Sequence, residues 1–185
     1  MRIIAGLYRG RNLKSPPSLE VRPTSDRLRE TLFNILAPEI GDIRFLDLCA
    51  GSGAVGIEAL SRGASHVTFV DRSRKICGLI EANLDLCRVP EDQTEIFNTE
   101  ASDFLHQAIH RKMTPWDIVF FDPPYQNDYL RVLTFLSLHS SELLVGQGRV
   151  IVEHHHKNVL PETIGNLSRT RIVKQGDSSL SFYET

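Results

Sequence analysis

No apolar run in this 185-residue sequence approaches the roughly 20 residues that a bilayer-spanning helix requires. The first residues include Arg2, Arg9 and Arg11 and contain no apolar segment of the secretory type, so a cytoplasmic protein with no membrane association is expected. Cysteine is scarce. Cys49, Cys77 and Cys87 form no CxxC pair, and an odd count of three argues against a disulfide framework and for a reducing compartment. Internal repeats and low-complexity tracts are also missing. What remains, 41% hydrophobic and 24% charged residues, is ordinary for a globular chain, and the length suits one domain with at most a short appendage.

Net charge is only −2, but it is unevenly spread. Residues 1–30 hold seven cations and three anions, whereas the other 155 residues hold 14 cations and 20 anions. A basic arm, residues 1–23, before an acidic body, residues 24–185, is the pattern expected of phosphate-backbone contact, and Arg9, Arg11 and Lys14 are its candidate RNA-binding side chains. A merely solvated terminus has the same composition. Within the arm, Ile3–Gly6 and Asn12–Lys14 are spaced to pair as a small hairpin around Arg9-Gly10-Arg11, followed by a turn at Ser15-Pro16-Pro17-Ser18.

Leu28, Leu32, Ile35 and Leu36 recur at helical spacing, predicting a helix over 25–36, capped by Thr24 or Ser25 and stopped by Pro38. Beyond it, short apolar runs at 44–48, 66–70, 94–98, 117–121 and 149–153 alternate with helical stretches at 54–62, 73–87, 102–111 and 129–140. That rhythm predicts an α/β fold with a doubly wound, mostly parallel sheet covered on both faces. The runs 170–174 and 180–184 are separated by five residues, too few for a crossover helix, so the sheet is expected to end in an antiparallel hairpin.

Two motifs carry chemistry. Gly51-Ser52-Gly53-Ala54-Val55-Gly56 is a GxGxxG between a predicted strand and a predicted helix, the setting in which such loops bring main chain close to a ligand. Asp71, at the end of the second strand, is placed to accept from ribose hydroxyls. The loop alone suits NAD as well as S-adenosylmethionine. Asp47, four residues before Gly51, favours the second, because a carboxylate repels a pyrophosphate and attracts a sulfonium or ammonium. Glu100 and Ala101 follow the third strand where an adenine would lie, the first as acceptor and the second as main-chain donor. A surface carboxylate followed by a helix start is an equally good description of them.

The second motif is Asp122-Pro123-Pro124-Tyr125, directly after the apolar Val119-Phe120-Phe121. Two prolines end the strand and stiffen the loop at the sheet's carboxyl edge. An exocyclic base amine is a weak nucleophile because its lone pair is delocalised. The Asp122 carboxylate and the Pro123 carbonyl can draw its two hydrogens toward pyramidal geometry, and Tyr125 can stack the extruded base. No metal is required.

Asp122 to Tyr125 resembles the (N/D)PP(Y/F/W) signature of class I amino-methyltransferases, whose acceptors include DNA adenine, rRNA guanine and protein glutamine. Several further stretches resemble the RsmD-type bacterial 16S rRNA (guanine-N2) methyltransferases. These are Arg2-Ile3-Ile4-Ala5-Gly6, Arg9-Gly10-Arg11, the run from Arg22-Pro23-Thr24 to Asn34, Asp47 to Gly53, Glu58 to Ala64 and Asn98 to Ala101. The resemblance covers essentially the whole chain. It implies a Rossmann-like methyltransferase fold of seven strands and S-adenosyl-L-methionine as donor. It implies N2 of one guanine of 16S rRNA, guanine 966, as acceptor, in an assembled or assembling small subunit. It also implies a cofactor set of Arg22, Pro23, Thr24, Asp47, Ala50, Gly51, Gly53, Asp71, Arg72, Glu100, Ala101 and Asp122, with residues 22–24 over the methionine end. A monomer is expected. Glu100 stands where many class I relatives carry Asp.

Other readings compete. A DNA adenine-N6 or protein glutamine enzyme would share Asp122 to Tyr125, although the DNA enzymes add a recognition insertion for which this length leaves no room. An NAD oxidoreductase has no use for Asp122 to Tyr125. A non-catalytic RNA-binding module would not need Asp122. His154-His155-His156 invites a metal reading, but neighbours on a strand point to opposite faces, so a solvated strand end is expected. Cys49 reads as packing rather than as a nucleophile.

Overall fold

The computed structural model describes residues 1–16, 25–124 and 129–185. Among these, eight strands form one sheet in the order β3-β2-β1-β4-β5-β8-β7-β6. β1 (Arg44–Leu48), β2 (His66–Asp71), β3 (Thr94–Asn98), β4 (Trp116–Phe121) and β5 (Leu144–His155) run parallel. β6 (Thr163–Ile164), β7 (Leu167–Gln175) and β8 (Ser178–Glu184) join by antiparallel pairing. The doubly wound sheet with its antiparallel end is therefore as the apolar runs predict. It has one strand more than the seven implied by resemblance. Gly165, at φ +55°, turns the chain so that Thr163 and Ile164 fold back on Ser168 and Leu167, a pairing too short to leave a periodic signal.

Alternation along the strands sorts the core onto two faces. Phe45, Ile118, Phe120, Ile151 and Phe182 point to one face, beneath α1 (Asp26–Leu36), α2 (Ala54–Ser61) and α3 (Arg74–Cys87). Leu46, Val119, Phe121, Val150 and Tyr183 point to the other, beneath α4 (Ala101–His110), α5 (Tyr129–Leu138) and α6 (Ser140–Leu143). Burial of each such side chain contributes about 1.5–3 kcal/mol. Ser25, not Thr24, caps α1, its Oγ accepting from the Leu28 N–H at 3.1 Å. No helix among the described residues is long and apolar enough to cross a membrane.

The N-terminal pairing forms between residues 1–3 and 10–13 rather than 3–6 and 12–14, with Arg2 opposite Asn12 and the Leu13 N–H donating to the Met1 carbonyl at 2.8 Å. It packs on the body. Ile3, Tyr8 and Leu13 are buried in the same core cluster as α1 and α2. Around the turn, the Leu7 N–H donates to the Ser61 carbonyl at 2.7 Å and the Tyr8 N–H to Ser61 Oγ at 2.9 Å. Gly6 permits this approach. Its φ is +81°, and a Cβ there would lie 1.7 Å from the Ser61 carbonyl oxygen. Gly6→Ala is therefore expected to lower unfolding free energy by about 3 kcal/mol or more in denaturant titration. A loss under about 1 kcal/mol would show that the turn is not held against α2.

The histidine run departs from expectation in part. His154 is buried, its Nε2 within 2.9 Å of Ser181 Oγ. His155 and His156, however, do not diverge: their ligand atoms and those of Asp177 lie within 4.8 Å of one another. β5 ends at His155, so strand alternation stops there, and the His156 N–H donates to the Asp177 carbonyl at 2.8 Å, drawing the β7–β8 turn alongside. His155 Nδ1 accepts from the Lys157 N–H at 3.1 Å.

Candidate active site

Parallel register brings the ends of β1, β2, β3 and β4 to one carboxyl edge: Leu48 lies beside Val70 and Phe121, and Asp71 beside Asn98. The chain leaves β1 through three residues of positive φ, Cys49 (63°), Gly51 (55°) and Gly53 (76°). The Gly53 N–H donating to the Ala50 carbonyl at 2.8 Å closes the turn, and Gly53 caps α2. A Cβ on Gly56 would meet the Phe69 ring at 2.3 Å, so the third glycine lets α2 lie against β2. A Cβ on Gly51 would meet nothing within 4 Å: there the main chain faces open space, as a ligand cradle requires.

Two carboxylates brace this loop. Asp47, 1% exposed, accepts the Gly56 N–H at 3.0 Å. Asp71 accepts the Gly51 N–H at 3.2 Å and the Ser73 N–H at 2.9 Å. Burial pushes both carboxyls above the usual range; the Gly56 bond opposes this at Asp47, and the Ser73 and Gly51 bonds oppose it at Asp71. Asp47 is thus engaged with the first turn of α2 as well as charging the crevice.

Asp122 follows β4, half-buried, its N–H donating to the Leu48 carbonyl at 3.3 Å; Pro123 is buried and Pro124 exposed. Tyr125 lies outside the described residues, as do Arg22, Pro23 and Thr24. Glu100 immediately precedes α4, which Ala101 begins, and the exposed Glu100 carboxylate is 3.6 Å from the exposed Arg72 guanidinium. The charges converge on Cys49. Burial is the main reason its thiol is held far above its ordinary range, and the carboxylates of Asp122, Asp71, Asp47 and Glu100 each add to the effect. A thiol so disfavoured as thiolate is no nucleophile. The same four anions form an acidic cradle, suited to a cationic ligand and hostile to a pyrophosphate.

Four residues that hold the site together escaped the motif reading. Glu58, the lone charged residue in the mostly apolar α2, is fully buried. Its Oε2 accepts the Ile4 N–H at 2.8 Å and its Oε1 the Ala5 N–H at 3.0 Å, while Arg62 Nε donates to Oε1 at 2.8 Å. The equally buried Arg29 lies 3.7 Å from Glu58 and donates to the Arg2 carbonyl at 2.6 Å. Ser61 Oγ donates to the Ala5 carbonyl at 2.5 Å. Asn83, fully buried on α3, pairs with the Lys14 main chain and with the Ser52 carbonyl. A polar residue on an apolar helix stripe was the available signal at Glu58 and Asn83. The side chains of Arg9, Arg11 and Lys14 are exposed on the arm that these contacts fix.

Residues 1–184 match the family model of conserved hypothetical protein 95. The chain is 39% identical over 184 residues to ribosomal RNA small subunit methyltransferase D of Escherichia coli K12, spanning all of this chain and 89% of that protein. It is 44% identical over 125 residues to the Haemophilus influenzae protein of the same name, covering 68% of this chain and 64% of that one. Among solved structures, a hypothetical protein of Thermus thermophilus superposes with a TM-score of 0.82 at 30% identity, covering 100% of this chain and 99% of that one.

Proposed function

The chain belongs to the conserved hypothetical protein 95 family, that of the RsmD-type methyltransferases, and from that premise we propose that it methylates N2 of a guanine, guanine 966, in 16S rRNA of the small ribosomal subunit. The observation that carries the cofactor half of this reading is the glycine turn open at Gly51, with the Asp71 carboxylate on the Gly51 N–H and the buried Asp47 carboxylate on the Gly56 N–H beside it. When bound, S-adenosylmethionine supplies an electrophilic methyl group on a sulfonium.

The residues present fit that group. Gly51 and Ala50 offer main chain, the cradle offers compensating charge, and Asp71 keeps its carboxylate at the end of β2, where ribose hydroxyls can reach it. Glu100 and Ala101 stand at the start of α4 for the adenine, with Arg72 beside Glu100. Residues 22–24 are assigned to the methionine end by resemblance.

At Asp122 the chain holds an acceptor carboxylate on a main chain fixed to β1, with the Pro123 carbonyl next to it. These two accept the hydrogens of the acceptor amine and free its lone pair; Tyr125 stacks the base. Positioning and preorganised charge do the rest. Substrate choice lies with the basic arm, through Arg9, Arg11 and Lys14, and the protein acts as a cytoplasmic monomer on an assembled or assembling subunit.

Incubation with methyl-labelled cofactor and unmodified small subunits, or naked rRNA, is expected to yield labelled N2-methylguanine at one position. Label in protein or in adenine, or none, would sink the proposal. Charge reversal at Arg9 and Arg11 is expected to weaken RNA binding and to reduce the slope of log K against log salt by about 0.9 for each phosphate no longer neutralised. Unchanged affinity and slope in a filter-binding titration would remove the arm from the interface.

A further inference from the structure

Asn83 is fully buried on α3, on the stripe that also carries Ile80, Leu84 and Cys87, yet its hydrogen bonds leave the helix. Its Oδ1 accepts the Lys14 N–H at 2.8 Å, and its Nδ2 donates to the Lys14 carbonyl at 3.1 Å. The same Nδ2 donates to the Ser52 carbonyl at 2.9 Å. One amide thus clasps both main-chain groups of a residue on the basic arm and the residue between Gly51 and Gly53. Both of those glycines are in the left-handed region, in a turn that the Asp71 carboxylate and the Ala50 carbonyl also hold. Glu58 provides a second tie: it receives the Ile4 and Ala5 N–H groups on the helix that Gly53 caps. The arm is therefore bolted to both sides of the cofactor loop.

We infer that Asn83 is a positioning residue that couples RNA on the arm to ligand in the glycine loop, so that each tightens the other. The inference rests on the function proposed above. Lys14 presents its side chain to solvent while its main chain is held by Asn83. RNA phosphates that restrain the arm through Arg9, Arg11 and Lys14 together restrain the Lys14 main chain and so the amide, which holds the Ser52 carbonyl inside the glycine turn. Coupling between two binding sites is reciprocal. The ordering energy spent by the first ligand is then not required of the second.

The test is the dissociation constant of S-adenosylhomocysteine, measured by calorimetry with and without a saturating unmodified small-subunit rRNA transcript. In the unaltered protein the RNA is expected to tighten binding by about fivefold or more. Asn83→Ala is expected to bring that ratio under about twofold. Lys14→Pro, which removes the N–H that Asn83 accepts without altering α3, is expected to do the same and serves if Asn83→Ala does not fold. Lys14→Ala, which removes the cation and keeps the main-chain clasp, is expected to weaken RNA binding and leave the ratio intact. A ratio near one in the unaltered protein overturns the inference, as does a ratio retained in Asn83→Ala or Lys14→Pro, or one lost in Lys14→Ala. Methylation of the RNA with any of these outcomes sinks the coupling alone. Absence of RNA methylation in the unaltered protein sinks the function and the coupling together.

Discussion

Asp122→Ala is expected to lower turnover about a hundred- to a thousandfold while leaving S-adenosylhomocysteine affinity within a few fold. The magnitude is that of removing one preorganised polar group from a site where charge develops. The separation of the two effects follows from geometry. The glycine loop proposed to hold the cofactor is braced by Asp47 on Gly56 and by Asp71 on Gly51, and neither bond involves Asp122. Asp122 is fixed through its own main chain, by the bond to the Leu48 carbonyl, which alanine retains. Asp122→Asn keeps one acceptor oxygen and nearly the same shape, so it should fall between the two. Single-turnover rates on unmodified rRNA, set against calorimetric affinity, decide the matter. Parallel losses in rate and affinity would make Asp122 a structural residue of the cradle and would leave the methyl acceptor without its hydrogen-bond acceptor.

Glu58→Ala is expected to cost about 3–5 kcal/mol of unfolding free energy, because it takes the buried carboxylate from Arg62 and from the buried Arg29, which is left with the largely exposed Asp26 and the Arg2 carbonyl. In a domain of this size that corresponds to a fall in Tm of about 10 °C or more. The loss exceeds that of a surface ion pair because both side chains are fully buried. The Ile4 and Ala5 N–H groups also lose their acceptor. The paired change Glu58→Leu with Arg29→Met removes both charges and is expected to regain much of the stability, since an apolar pair of similar volume needs no compensation. It does not restore the acceptor for residues 4 and 5. The double variant should therefore melt near the unaltered protein yet be cut by protease at the arm. A Glu58→Ala melting temperature within about 2 °C of the unaltered protein would show that the hub is not what holds arm to body.

The parts of this architecture that repeat were legible from the sequence. Apolar runs of strand length gave β1 to β4 within a residue; β1, β2 and β4 are buried on both faces and burial writes itself into composition, whereas the half-exposed edge strand β3 shows only through Ile96 and Phe97. The glycine loop and Asp122-Pro123-Pro124 were legible for a different reason: both impose main-chain conformations that few residue types tolerate. What was not legible depends on distant partners. Nothing near Glu58 in sequence announces that it serves Ile4 and Ala5, 54 and 53 positions away. Asn83 reaches Lys14 across 69 positions. Asp47 was assigned by its charge and position, and the structure adds the Gly56 N–H as its partner. β6 escaped because two residues have no period.

The order of the strands bears on how the protein is made. β8, Ser178–Glu184, follows β5, β6 and β7 along the chain, yet it lies inside the sheet between β5 and β7. Within the sheet, β7 and β6 attach only through it. Until β8 emerges, the nascent chain carries β5 as a bare edge with Val150, Ile151 and Val152 along it, a template for pairing with another chain. β8 must therefore be made before the sheet can be sealed, and a chain cut short before it would carry the whole glycine loop and an open, adhesive flank.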